Sequence, residues 1–135
     1  ILKVLNDIHA KYPHESRILK AESVPYRQYI KMMGDSDVIL DQLYSYTPGM
    51  NALAAMAQGM VAGGGGEPEM YELLGETDNR PVINILPDKE DIFGKLESLL
   101  LHKEEIKEIS INSRLFIEKY HDYTKVAQKY LDFWN

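Results

Sequence analysis

Two glycine-bearing stretches, Pro48-Gly49-Met50-Asn51 and Gly63 to Gly66, carry the clearest chemistry in this chain. Proline suits the first turn of a helix, where its missing N–H costs nothing. A helix starting here would present the backbone N–H groups of Gly49, Met50 and Asn51 at its positive end, which attracts anions. Gly63 to Gly66 remove the side chains that would keep a ligand off the backbone. Together the two stretches read as a cradle for a phosphate or diphosphate. A second reading needs no ligand: a tight strand-to-helix turn, followed by a helix packed closely through Ala52, Ala54, Ala55 and Ala57.

Named phosphate motifs do not match. No lysine follows the glycines, as a P-loop requires, and the sixth place counted from Gly63 or Gly64 is Pro68 or Glu69 rather than the glycine of a dinucleotide fingerprint. Glu67 and Glu69 would repel a phosphate beside them. They suit sugar hydroxyls, or simply the first turn of a helix. His9 and His14 do not share a helical face, and no carboxylate completes a ligand set, so no metal is expected. No Ser/His/Asp or Cys/His nucleophile assembles. No cofactor is expected either; a nucleotide-sugar would be a substrate.

Bulk properties narrow the classes. Net charge is −6, with Lys and Arg scattered, which argues against a nucleic-acid groove. The chain has no cysteine, so disulfide scaffolds and thiolate metal sites are excluded and a cytoplasmic setting is expected. No apolar run reaches the roughly 18 residues of a membrane span.

The elements that must position these residues alternate. Ile1, Leu5, Ile8 and Tyr12 recur at helical spacing up to Pro13. Strands are expected at Ser16–Val24, Asp37–Tyr44, Met60–Gly63 and Pro81–Leu86. Helices are expected after Pro25, over Gly49–Gln58 with Gly59 as its cap, around "EPEMYELLG", from the N-cap Asp88, and through the C-terminal third, where Asp122 caps the last. Such alternation predicts an α/β domain of three αβα layers around a Rossmann-like parallel sheet, with a helical C-terminus. Residues 1–135 read as one domain. Because the chain opens on a helix, the strand expected before it is missing, which leaves an exposed sheet edge and a possible dimer. We expect the chain to be a fragment whose true N-terminus lies upstream. Ligands in such sheets bind beyond the carboxyl ends of the strands, here Glu22 to Val24, Asp41 to Tyr44 and Gly63 to Gly66.

At this point the residues resemble a family. "DVILDQLY…PGMNALAAMAQGMV…GGGEPEMYE" is similar to the C-terminal half of GT-B glycosyltransferases of the family 4 type. There a strand is followed by E-x-F-G-x-x-x-x-E-A-M-A-x-G-x-P-V-V and a glycine-rich segment ending Pro-Glu. Ala54 to Val61 matches the core of that pattern, Glu67 to Glu69 resembles the Pro-Glu, and "SRLFIEKYHDYTKVAQKYLDFW" is similar to the closing helices. The resemblance covers nearly the whole chain, though only about twenty residues are diagnostic.

It implies the donor-binding half of an enzyme that moves a sugar from a nucleotide-sugar to an acceptor hydroxyl in polysaccharide or glycoconjugate synthesis. The backbone of Gly49, Met50 and Asn51 would hold the diphosphate. Tyr44, Tyr46, Asn51, Ala54, Gly64, Gly65, Gly66 and Glu67 would lie near the sugar and ribose, and Ser23, Val24 and Pro25 near the base. The acceptor would enter from an N-terminal domain of the same protein, absent here, so the fragment alone would be inactive. One departure matters. The two glutamates of the family's E-x7-E pattern fall on Tyr46 and Ala54, and Asn51 is the residue placed to replace a ribose contact. The alternatives are a degenerate, non-catalytic domain of the same fold, or an unrelated phosphate-binding α/β module using Asp41 and Glu22.

Overall fold

The computed structural model describes residues 1–135. Its element order is α1 (Leu2–Lys11), α2 (Tyr26–Gly34), β1 (Val38–Leu40), α3 (Met50–Ala57), β2 (Val61–Gly64), α4 (Pro68–Leu74), β3 (Ile83–Asn84), α5 (Lys89–Leu101), α6 (Lys103–Tyr120) and α7 (Tyr123–Trp134). The three strands form one parallel sheet in the order β1-β2-β3, with Val38 opposite Val61 and Gly63 opposite Ile83. Parallel neighbours need a crossover, and α3 and α4 supply the two.

Helices cover both faces. On one, Ala52 and Met56 of α3, Met70 and Tyr71 of α4 and Phe116 and Ile117 of α6 close over Ala62. On the other, Val4 and Ile8 of α1 join Ile92 and Leu96 of α5 around Ile85, with Leu40 packed against them. Ile39 and Leu40, neighbours in sequence, thus serve opposite layers, as the period of a strand requires. The domain is mixed α/β, with a small three-stranded parallel sheet and a helical C-terminus. No helix is long and apolar enough to cross a membrane.

Helix ends follow local chemistry. Asp88 accepts hydrogen bonds from the N–H groups of Glu90 and Asp91, and Asp122 from those of Thr124 and Lys125, so both expected N-caps are in place. Gly59 follows α3 with φ of 80° and Gly75 follows α4 with φ of 65°, left-handed positions that other residues resist.

The strands are shorter than the sequence implies, and Ser16–Val24 is not a strand. Its apolar residues do not alternate: Ile18 and Leu19 are adjacent, with charged residues on either side. The segment pairs with no other; Ser16 is bonded to α1 through its N–H and hydroxyl to the Tyr12 carbonyl at 3.1 and 2.7 Å and through its hydroxyl to His9 Nδ1 at 3.0 Å, and the Arg17 guanidinium donates to the Asp35 carbonyl at 2.8 Å. Extended backbone without a neighbouring strand is not sheet, whatever its composition.

A buried carboxylate ties the C-terminal helices to the rest. Glu76 is 4% exposed and accepts four hydrogen bonds: from the N–H groups of Asp78 and Asn79 at 3.0 Å each, and from Lys119 Nζ and the Tyr120 hydroxyl at 2.7 Å each. The Asn79 N–H first, then Lys119 and Tyr120, hold this carboxyl far below the usual carboxylate range. An acid whose pKa is depressed on folding stabilises the fold above its unfolded value of about 4.3, and that contribution is lost as pH falls. Glu76→Gln therefore lowers the melting temperature at pH 7, and its gap from the unmodified chain narrows below about pH 4. Gly94→Ala has the opposite sign. It lies mid-way along α5, and an added Cβ meets nothing within 4 Å. Denaturant titration should show a gain of about 0.5–1 kcal/mol.

Candidate functional site

The carboxyl edge of the sheet is built from three chain segments. Beyond β1 the loop Asp41 to Gly49 leads into α3; beyond β2 come Gly65 to Glu67; beyond β3, Ile85 and Leu86. Gly49 is the N-cap of α3, in extended conformation with φ −78° and ψ 174°, and has no side chain to cap the helix. Asp41, eight residues earlier, takes up the cap residue's own N–H, its Oδ2 accepting from Gly49 at 2.5 Å, and leaves the first-turn amides uncapped. Intrahelical bonding begins with Leu53 N–H to the Gly49 carbonyl at 3.0 Å. The N–H groups of Met50, Asn51 and Ala52 find no acceptor in the chain, as expected for a first helical turn.

Of the expected diphosphate amides, then, one is already bonded to a carboxylate and two are free. Ala52 adds a third free amide, outside the expected set. Asp41 was expected at a strand's carboxyl end, where ligands bind, but not as a partner of the Gly49 amide. The only sequence signal for it is an acidic residue at a strand's carboxyl end, followed by an N-cap that lacks its own oxygen.

The glycine run has a different role from an open cradle. Gly63, Gly64, Gly65 and Gly66 are all buried. A Cβ on Gly65 would sit 2.0 Å from the Ser45 carbonyl oxygen, and one on Gly66 would sit 2.8 Å from Val82 Cγ1. The β1–α3 loop lies across the run and is bonded to it: Gly65 N–H donates to the Gln42 carbonyl and Glu67 N–H to the Tyr46 carbonyl, each at 3.1 Å. Gly66 N–H goes to Asn84 Oδ1 at 3.2 Å. The bare backbone accommodates the chain's own loop.

That packing turns Tyr44 and Tyr46 outward, 90% and 67% exposed, beside an exposed Met50. Asn51 and Ala54 are exposed on the outer face of α3, and Glu67 is half-buried at the N-cap of α4. Ser23, Val24 and Pro25 lie in the segment ahead of α2, with Ser23 at φ 51°, and no hydrogen bond joins them to the loop. The structure thus brings Tyr44, Tyr46, Gly49, Met50, Asn51, Gly65 and Glu67 to one edge, with no hydrogen bond from it to Ser23, Val24 or Pro25. A cavity of about 760 Å³ lies along β1 and includes none of the expected residues. No three His, Asp or Glu side chains converge on a point that would hold a metal ion.

Chemically, the edge offers three backbone donors and two carboxylates, Asp41 and Glu67, with exposed aromatic side chains at Tyr44 and Tyr46. That arrangement can bind an anion and cover it. It holds no nucleophile activated by a neighbouring base. No family model, no curated protein and no solved structure matches the chain. The close approach of the loop generates a prediction. Gly65→Ala collides with backbone rather than with a movable side-chain tip. The variant should lose ~1–3 kcal/mol or more in denaturant titration, with amide NMR shifts centred on Gln42 to Thr47.

Proposed function

We propose that this chain is the donor-nucleotide-binding half of a GT-B glycosyltransferase, with a Rossmann-like fold. It would act on a nucleotide-sugar and an acceptor hydroxyl in polysaccharide or glycoconjugate synthesis. The observation that carries the reading is the set of free amides at Met50, Asn51 and Ala52, at the start of a helix that begins beyond the carboxyl end of a parallel strand. There a departing diphosphate would gain hydrogen bonds and the favourable end of the helix dipole. The resemblance of Ala54 to Val61 and Glu67 to Glu69 to the family pattern points to the same helix. In this reading the protein's work is positioning the donor and stabilising the leaving diphosphate. The acceptor half is supplied by another domain of the same cytoplasmic protein, and the 135 residues alone do not transfer sugar.

Asp41 favours a second reading, a domain that keeps the fold and has lost the donor. Its carboxylate occupies one donor-facing amide, and Tyr46 and Ala54 stand where the family has glutamates. The two readings differ in what substitutions do. If the diphosphate seats on α3, a nucleoside diphosphate shifts the amide signals of Met50, Asn51 and Ala52 in a titration. Asp41→Asn then tightens binding by removing a like charge. Ala54→Glu restores a charge-assisted bond to ribose worth about 1.5–3 kcal/mol, roughly ten- to a hundredfold in affinity. A folded Asp41→Asn, Ala54→Glu double variant that leaves these three amides unmoved at millimolar ligand eliminates the donor reading in favour of the degenerate one.

A further inference from the structure

The fold leaves α7 uncovered. None of its residues is buried, and none packs against the three hydrophobic clusters of the core. Its sequence is nonetheless amphipathic. At 3.6 residues per turn, Tyr123, Val126, Tyr130, Leu131, Phe133 and Trp134 fall within one arc of roughly 160°, and every charged residue of the helix lies outside it. Phe133 and Trp134 are 85% and 74% exposed, so the apolar face is open along its length. Single exposed apolar residues are ordinary on a protein surface; an unbroken apolar face three turns long marks a binding surface.

We propose that α7 binds the surface of an anionic lipid bilayer, lying in the headgroup plane with Tyr130, Leu131, Phe133 and Trp134 turned toward the hydrocarbon. The composition of the face selects lipid over another helix. The polar contacts of α7 are the Asp122 cap, Lys125 Nζ to the Glu118 carbonyl and Gln128 to Asp132, so the polar tips of Tyr123, Tyr130 and Trp134 have no partner in the chain. A dry helix–helix seam would strand those tips. The headgroup layer offers them phosphate and ester oxygens beside hydrocarbon. Tyr130 and Trp134 already lie together, with ring centroids 5.9 Å apart. Charge sets the sign of the lipid. Lys129 borders the apolar arc next to Phe133 and pairs with no carboxylate in the chain, so its stem can lie on the apolar border while its ammonium meets a headgroup phosphate. Asp132, the one acidic residue of the helix, falls on the opposite side and is held by Gln128 at 2.8 Å. Aromatic and aliphatic residues on one face, with lysine at its border, form the pattern of an interfacial helix. The net charge of −6 belongs to the rest of the chain, which the same surface repels, leaving α7 as the point of attachment. The inference does not rest on the donor reading.

Trp134 is the only tryptophan in the chain, so its fluorescence reads this face directly. Vesicles of equal parts phosphatidylglycerol and phosphatidylcholine should move its emission to shorter wavelength and shield it from aqueous quenchers. Vesicles of phosphatidylcholine alone should do so far less, and added salt should reverse the shift. Phe133→Asp should lower partitioning by about tenfold or more, and Lys129→Gln by roughly fivefold. Both positions are exposed, so the melting temperature should not change. Four outcomes overturn the proposal: emission unmoved by the anionic vesicles; a shift without vesicles that grows with protein concentration, which makes a second copy the partner; equal partitioning into neutral vesicles; or partitioning of a folded Phe133→Asp variant that matches the unmodified chain, which moves the contact to another surface.

Discussion

Two stretches of backbone touch at the carboxyl edge of the sheet with no room for a side chain between them, and the geometry of that edge depends on it. Gly65 lies against the Ser45 carbonyl so closely that even a methyl group cannot enter. The contact fixes the β1–α3 loop by two cross-bonds, from Gly65 to Gln42 and from Glu67 to Tyr46. A loop held there brings Asp41 to the Gly49 amide and presses Pro48 into the interior, and so sets where α3 begins. It also leaves Tyr44 and Tyr46 no inward direction to take. The alanine-rich inner face of α3 belongs to the same economy of bulk. Ala52 and Ala55 are fully buried, which lets the helix lie close to the sheet.

The C-terminal helices complete the layer that a small sheet cannot close by itself. Phe116 of α6 meets Tyr71 edge-on, with ring centroids 5.9 Å apart, and stands 5.0 Å from Tyr120. The Tyr71 hydroxyl in turn accepts the Val82 N–H at 3.2 Å, linking the aromatic cluster to the segment before β3. Glu76 gathers the α4–β3 connection onto Lys119 and Tyr120. At the other end of the chain, Lys11 and Tyr12 both reach Glu97 at 2.7 Å, which moors α1 to α5. By contrast α7 buries none of its residues. It is attached by the Asp122 cap and by Lys125 Nζ to the Glu118 carbonyl at 2.7 Å.

Features encoded within one helical turn were legible in the sequence. The caps at Asp88 and Asp122 and the glycine after α3 all follow from neighbours a few residues apart. What needed a distant partner was not legible. Nothing in Ser16 to Val24 says that it pairs with no other strand, because strand formation depends on the neighbour more than on composition. The glycine run announced a close approach but not what approaches; the loop that fills the space begins more than twenty residues earlier in the chain. Asp41 looked like an ordinary acidic residue after a strand, since its partner is a glycine with no side chain to advertise the bond. Glu76 and its partners on α6 are separated by 43 and 44 residues, far beyond any periodic pattern.

The Asp41 bond also sets the terms on which any anion would reach the start of α3. An outside anion arriving at the Gly49 amide meets an acceptor that is tethered and always present, at an effective concentration no dilute solute matches. To bind there it would have to displace the carboxylate. The tether lowers occupancy, and it also gives departure a route that leaves no bare N–H behind. Any anion held at that amide would therefore be bound less tightly than at an amide with no acceptor of its own.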